Sequence, residues 1–86
     1  MGTVTIEVRY FAAARAASGV EAEKIQLADG ATIDDVLAAL RVEHGTELAC
    51  VLQRCSYLLD EVAVRDRGLS VTGASTLDVL PPFAGG

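Results

Sequence analysis

Hydrophobic and polar residues alternate strictly near the start of the chain, over residues 3–10. Four apolar side chains fall on one face of an extended segment there: Val4, Ile6, Val8 and Tyr10. Since successive side chains of a strand point to opposite faces, the pattern predicts a half-buried β-strand whose outer face carries threonine and charged residues.

The most regular helical pattern of the chain covers residues 33–44. Its apolar residues recur at the three- and four-residue spacing of a buried helix face. They are Ile33, Val36, Leu37 and Leu40. Thr32 is the expected N-cap, with Asp35 as the acidic partner of a capping box, and Gly45 is expected to end the helix.

Weaker patterns fill the rest of the chain. They predict a helix over 12–17, strands over 22–27, 56–59 and 62–64, a helical turn over 48–52 and a turn over 65–68. A final strand over 76–80 has Leu77 and Val79 on one side and Asp78 and Leu80 on the other. Pro81-Pro82 should end its ladder, because proline has no N–H to donate.

This order of elements predicts an α+β domain of the ubiquitin-like β-grasp type, with a mixed sheet packed on one main helix. The first and last strands are expected to lie side by side and parallel at the centre of the sheet. We therefore expect one folded domain over residues 1–80 and a flexible tail over residues 81–86.

Composition narrows the classes of partner. The 86-residue chain has a formal net charge of −5 and a single lysine, Lys24, so we expect no nucleic-acid partner and favour a basic protein. The longest apolar runs fall far short of the roughly 20 residues that span a bilayer, and no signal-peptide pattern opens the chain. We expect a cytoplasmic protein with no membrane partner.

The cysteines and the histidine have no metal-site spacing. Cys50 and Cys55 are expected on different faces of a helix end, as buried thiols that act as small apolar groups. His44 completes no standard zinc-binding set with them. We predict no metal and no bound cofactor.

The best candidate for chemistry is the C-terminal pair Gly85-Gly86. Glycines lack Cβ, so this segment suits a narrow channel that brings the terminal carboxylate to a reactive phosphate. A carboxylate joined to AMP becomes an acylating agent, and sulfur attack on that anhydride gives a thiocarboxylate.

The rest of the chain offers no self-contained active site. It has no Gly-rich phosphate-binding motif. Its adjacent carboxylates, Asp34-Asp35 and Asp60-Glu61, are predicted to mark a helix N-terminus and a turn. We therefore expect the reactivity of Gly86 to come entirely from partner enzymes.

Two segments at opposite ends of the chain carry a family resemblance. One is Tyr10-Phe11-Ala12-Ala13-Ala14-Arg15, and the other runs from Asp78 to Gly86 as Asp-Val-Leu-Pro-Pro-Phe-Ala-Gly-Gly. Together they resemble the molybdopterin synthase small-subunit branch of the MoaD/ThiS sulfur-carrier family. Thiamine carriers are usually shorter and lack the Ala-rich segment and the double proline, which favours the molybdopterin branch.

The resemblance implies a reaction cycle at Gly86, with Gly85 carried over beside it. An E1-like adenylyltransferase would adenylate the carboxylate with ATP, and a persulfide would convert it to a thiocarboxylate. The large subunit of molybdopterin synthase would then receive it, in a heterotetramer. There it would supply sulfur to cyclic pyranopterin monophosphate in molybdenum cofactor biosynthesis.

The resemblance also implies a partner-binding surface. The alternation predicts that Phe11 and Leu80 lie opposite the core, and exposed apolar groups suggest docking; partial burial under a loop is the alternative. Arg15 either pairs with an acid of the partner or lies on the helix surface. The partner-binding positions of the tail are Pro82, Phe83 and Ala84.

Other functions of the same tail stay open. A sulfur carrier for thiamine or cysteine biosynthesis would have a different acceptor. A ubiquitin-like protein modifier would instead have Gly86 joined to a lysine of its target. An interaction domain without a reactive end is a third class.

Overall fold

The computed structural model describes residues 2–82, which form a five-stranded sheet and three helices. The strands are β1 (Thr3–Tyr10), β2 (Ala22–Ala28), β3 (Ser56–Leu59), β4 (Val62–Ala63) and β5 (Thr76–Leu80). The helices are α1 (Ala12–Ser18), α2 (Ile33–His44) and α3 (Thr46–Leu52). All the predicted elements are present, although α3 is longer than the predicted helical turn and β4 is shorter than its predicted strand.

The sheet has the strand order β2-β1-β5-β3-β4. β1 pairs in parallel with β5, in a register that runs from Glu7 opposite Thr76 to Tyr10 opposite Val79. The other three pairings are antiparallel. The predicted central pair of parallel first and last strands is therefore confirmed.

One face of the sheet packs against the helices. On β1 the predicted inner face is confirmed, since Ile6, Val8 and Tyr10 are buried and Val4 is half-buried. Side chains of all three helices complete a single core with β5 and β3. The helical members are Ala14, Ile33, Val36, Leu37, Leu40, Leu48 and Leu52.

The predicted capping box at the start of α2 is confirmed. The Thr32 Oγ1 accepts a hydrogen bond from the Asp35 N–H at 3.2 Å, and the Asp35 Oδ2 accepts from the Thr32 N–H at 2.9 Å. At the other end Gly45 has φ 87° and donates its N–H to the Arg41 carbonyl at 2.9 Å. This positive φ favours glycine, and α3 begins directly after Gly45.

The predicted turn at Asp60-Glu61 joins β3 to β4. Both residues have positive φ, 47° and 69°. The Asp60 Oδ1 accepts hydrogen bonds from the N–H groups of Ser75 and Thr76, at 2.8 and 2.9 Å. These backbone hydrogen bonds lower the pKa of Asp60 and tie the hairpin to the start of β5.

A polar cluster holds the end of β1 to its neighbours. The Tyr10 hydroxyl donates to the Glu23 Oε2 of β2 at 2.5 Å, and the His44 Nε2 at the end of α2 contacts the same oxygen. The Tyr10 and His44 rings also meet edge to face, with centroids 5.9 Å apart. Burial raises the pKa of Tyr10, and the hydrogen bond to Glu23 raises it further, so the phenol stays protonated.

The capping box generates a prediction about stability. Replacing Thr32 by alanine removes the side-chain acceptor of the Asp35 N–H, and we expect a loss of about 1 kcal/mol in the free energy of unfolding. The measurement is urea denaturation followed by circular dichroism. Thr32→Ser keeps the hydroxyl and is the matched control. Equal midpoints for the alanine and serine variants would show that the box does not stabilise α2.

Candidate functional site

The tail leaves the domain beside the end of β1. Because β1 and β5 are parallel, their C-terminal ends lie at the same edge of the sheet. Phe11 follows β1, and its N–H donates to the Val79 carbonyl of β5 at 3.3 Å. Pro81 follows β5 and Pro82 is the last described residue, so the root of the tail lies next to Phe11.

A surface on the side of the sheet opposite the core surrounds this root. Phe11 continues the alternation of β1, and 42% of it is exposed, which confirms its predicted outward position. Leu80 is half-buried on the same side of β5. The register of β3 with β5 places Leu58 opposite Asp78 and therefore on this side as well. We name the surface formed by Arg9, Phe11, Leu58, Asp78 and Leu80 the docking face.

A bidentate ion pair between Arg9 and Asp78 lies within the docking face. The Arg9 Nε is 2.5 Å from the Asp78 Oδ1, and the Arg9 Nη2 is 3.0 Å from the Asp78 Oδ2. The two residues are also register partners in the parallel pair. The hydrogen bond to Asp78 raises the pKa of Arg9 above its already high value, so the guanidinium keeps its charge.

The burial of Asp78 was missed by sequence reasoning. The alternation correctly places its side chain opposite the core, but only 5% of the residue is exposed. Arg9 and Leu58 flank it from β1 and β3. The charge pattern of β1 and β5 is the signal that could have suggested the pair, given the correct register.

A groove borders the root of the tail on the helix side. It has a volume of about 630 Å³ and lies between α1, α3 and the two prolines. Its lining residues are Ala13, Cys50, Val51, Gln53, Arg54, Pro81 and Pro82. The two prolines, which directly follow Leu80 of the docking face, thus also line this groove.

Arg15 lies on the exposed surface of α1. Its Nη1 is 3.3 Å from the Glu21 Oε1, and both side chains are largely exposed. An exposed pair of this kind contributes little to stability, so little free energy is lost when a partner replaces Glu21. Because its side chain is exposed, the Arg15 guanidinium is accessible to such a partner.

Four predicted site residues lie outside the described residues. They are Phe83, Ala84, Gly85 and Gly86. Pro82, the fifth predicted residue of the tail, is described and exposed. The structure thus brings Phe11, Leu80 and Pro82 to one edge of the domain, and the role of each stays a prediction.

The cysteines differ from the expectation of two buried thiols. Cys50 is exposed, so that prediction is wrong for it, because α3 turns this position toward the groove instead of the core. Cys55 is half-buried and its Sγ donates to the Val51 carbonyl at 3.2 Å. The two thiols are free.

Within residues 2–82, no three His, Cys, Asp or Glu side chains come together as a metal-binding group. Over the same residues, none of the helices has the length and apolar character that crossing a bilayer requires.

The architecture defines a class of protein. A mixed sheet with parallel first and last strands at its centre, covered by α2 on one face, is the ubiquitin-like β-grasp fold, and comparison with solved structures confirms this prediction. SAMP1 from Haloferax volcanii matches with a TM-score of 0.84 and 23% identity, over 96% of this chain and all of that one. A Helicobacter pylori complex of subunits 1 and 2 of molybdopterin-converting factor contains a chain that matches with a TM-score of 0.63 and 18% identity, over 96% and 100%.

Sequence comparison then identifies the family. The model of the ThiS family matches residues 8–86. A Chlamydomonas reinhardtii protein named molybdopterin synthase sulfur carrier subunit is 32% identical over 82 residues, which cover 94% of this chain and 98% of that protein. The chain belongs to the ThiS family, the MoaD/ThiS sulfur carriers, as its two end segments predicted.

The two thiols should differ in reactivity. Burial raises the pKa of Cys55 to about 11, and at pH 8 a thiol with that pKa is only about 0.1% thiolate. We expect iodoacetamide to modify the exposed Cys50 at pH 8 and Cys55 only as the pH approaches 11. Peptide mass spectrometry measures both rates, with protein unfolded in urea as the control. Equal rates in the folded protein at pH 8 would contradict the half-buried position of Cys55.

Proposed function

We propose that this chain is the sulfur-carrying small subunit of a molybdopterin synthase. The observation that carries the proposal is the 32% identity to the Chlamydomonas subunit, which extends over nearly the full length of both proteins. The chain also has the Gly85-Gly86 end that the chemistry of a carboxyl-terminal sulfur carrier requires.

The proposed chemistry takes place at Gly86. Its carboxylate attacks the α-phosphate of ATP, releases pyrophosphate and becomes an acyl adenylate. The terminal sulfur of a protein persulfide displaces AMP, and a thiol cleaves the remaining S–S bond to leave a thiocarboxylate. The thiocarboxylate then donates its sulfur to cyclic pyranopterin monophosphate, and water restores the carboxylate.

The position of the docking face supports this cycle. Phe11 and Leu80 lie at the edge from which the tail departs. A partner that covers them is therefore beside the tail as well, and binding energy from the folded domain helps to place a segment that has few side chains of its own. Pro82 and the predicted contacts of Phe83 and Ala84 would extend this interface along the tail.

We propose two partners for this surface. One is the large synthase subunit, in a heterotetramer, and the Helicobacter complex of subunits 1 and 2 is the precedent for a partner of that kind. The other is an E1-like adenylyltransferase, which would bind the ATP in place of this chain. The absence of Gly-rich phosphate-binding motifs in the sequence agrees with that division of labour.

We place the cycle in the cytoplasm. Cys50 and Cys55 are free thiols, one of them exposed, which is the usual state of cysteines in a reducing compartment.

A protein modifier is the second candidate function. SAMP1, whose name denotes a small archaeal modifier protein, has the same fold at 23% identity. Conjugation requires the same adenylated terminal carboxylate, but an amine of a target protein attacks it instead of sulfur. The chemical state of Gly86 in the cell separates the two functions.

The mass of the C-terminal peptide tests the proposal. In protein isolated from its native cells we expect a fraction with the mass gain of one oxygen replaced by one sulfur, located at Gly86. A variant that lacks Gly86 is the control and should show no such gain, while its thermal unfolding should match that of the unaltered protein. Lysine-linked conjugates without the sulfur form would favour the modifier and overturn the carrier.

Binding to the large subunit tests the docking face. Phe11→Asp places a charge where we expect an apolar contact, and we predict a loss in affinity of about thirtyfold, the size of an interface hot spot. Isothermal titration with the large subunit from the same organism measures it. Val42→Asp is the matched control, because Val42 is 86% exposed on α2 outside the docking face. Equal affinities for both variants would exclude Phe11 from the interface.

A further inference from the structure

The ion pair of Arg9 and Asp78 is an unusual feature of the docking face. Leu58 is the register partner of Asp78 on β3, and Phe11 and Leu80 follow Arg9 and Asp78 by two positions, so apolar side chains lie beside the pair along both strands. An apolar surface alone would bind any partner of suitable shape. The guanidinium of Arg9, held by the buried Asp78, means that a partner must also provide a hydrogen-bond acceptor.

The pair leaves part of the guanidinium unused. Arginine has five N–H donors, and Asp78 accepts from two of them, one on Nε and one on Nη2, which leaves three. Within residues 2–82 the side chain of Arg9 makes no other hydrogen bond, and 36% of it is exposed. In the isolated protein these donors are free to bind water.

The charges around Arg9 narrow the kind of acceptor that suits these donors. Asp78 is hydrogen-bonded to the guanidinium, and Glu7 lies two positions before Arg9 on the same face of β1. These two carboxylates and that of Glu61 all raise the pKa of Arg9. A further carboxylate from a partner would meet repulsion from all three. A neutral oxygen acceptor, such as a main-chain carbonyl, takes the hydrogen bonds without that cost.

We propose that Arg9, held in place by Asp78, is a specificity-determining residue of the docking face that donates its free N–H groups to a neutral carbonyl acceptor on the large synthase subunit. The inference rests on the proposed function for its partner. A surface that covers Phe11 and Leu80 but lacks the acceptor strips water from these donors and leaves them unpaired. The pair thus discriminates between partners of similar apolar shape.

A double substitution separates this role from a structural one. Arg9→Leu alone would leave Asp78 buried without a partner, so both residues are changed to leucine, which removes the buried carboxylate together with its counter-ion. We expect the double variant to fold, as measured by thermal unfolding, and to bind the large subunit about tenfold more weakly, because the carbonyl of the partner loses its donor. Equal or tighter binding would overturn the proposal, since a purely structural pair could be replaced by a larger apolar surface.

A matched control and a second variant complete the test. Thr5→Leu with Gln26→Leu also places two leucines at register partners on the same side of the sheet, away from the docking face, and should leave the affinity unchanged.

If the variant with Arg9→Leu and Asp78→Leu does not fold, Arg9→Lys decides the question. It keeps the charge beside Asp78 but loses the planar fork, so unchanged affinity would overturn the proposal. If the unaltered protein does not bind the large subunit, the proposed function fails instead.

Discussion

The parallel pairing of β1 with β5 is the interaction on which the rest of the structure depends. It joins the two ends of the chain, since Arg9 and Asp78 are 69 positions apart. Parallel strands need a long crossover between them, and here the intervening elements supply the helices that cover the inner face. The edge at which both strands end becomes the place from which the tail departs.

The two faces of this central pair have separate roles. On the inner face Val8, Leu77 and Val79 are fully buried, and burial of each such side chain contributes roughly 1.5–3 kcal/mol. On the outer face a charged pair occupies the corresponding position. A pair of this kind is weak evidence for stability, because the cost of burying the Asp78 carboxylate offsets its attraction to Arg9. The role of the ion pair is better explained by partner recognition, since a partner that covers it must provide an acceptor for the free N–H groups of Arg9.

The fold and the proposed chemistry are largely independent of one another. The described residues contain one hydrophobic core, and among them no three His, Cys, Asp or Glu side chains form a metal-binding group. The same β-grasp fold is present in SAMP1 and in a subunit of molybdopterin-converting factor. The fold alone therefore does not distinguish one such protein from another. In this chain the surface around the tail root combines apolar side chains with the guanidinium of Arg9.

Elements whose pattern is local can be predicted from the amino-acid sequence alone. Alternation over residues 3–10, helical spacing over 33–44 and the Thr32 cap each reflect one buried face or one short hydrogen-bonded unit, so a single segment contains the whole signal. The end segments predicted the family in the same way, because a motif is a local pattern, and the ThiS family model and the Chlamydomonas relative confirmed it.

Properties that depend on distant neighbours become visible only in the folded chain. The register of β1 against β5 sets which charges meet, and so the burial of Asp78 and its pairing with Arg9 could not be predicted from either strand alone. The exposure of Cys50 depends likewise on how α3 packs beside α1 and the prolines. A short pattern indicates which face of a segment is apolar. The partner of each polar side chain depends instead on contacts between segments far apart in the chain, which no short pattern contains.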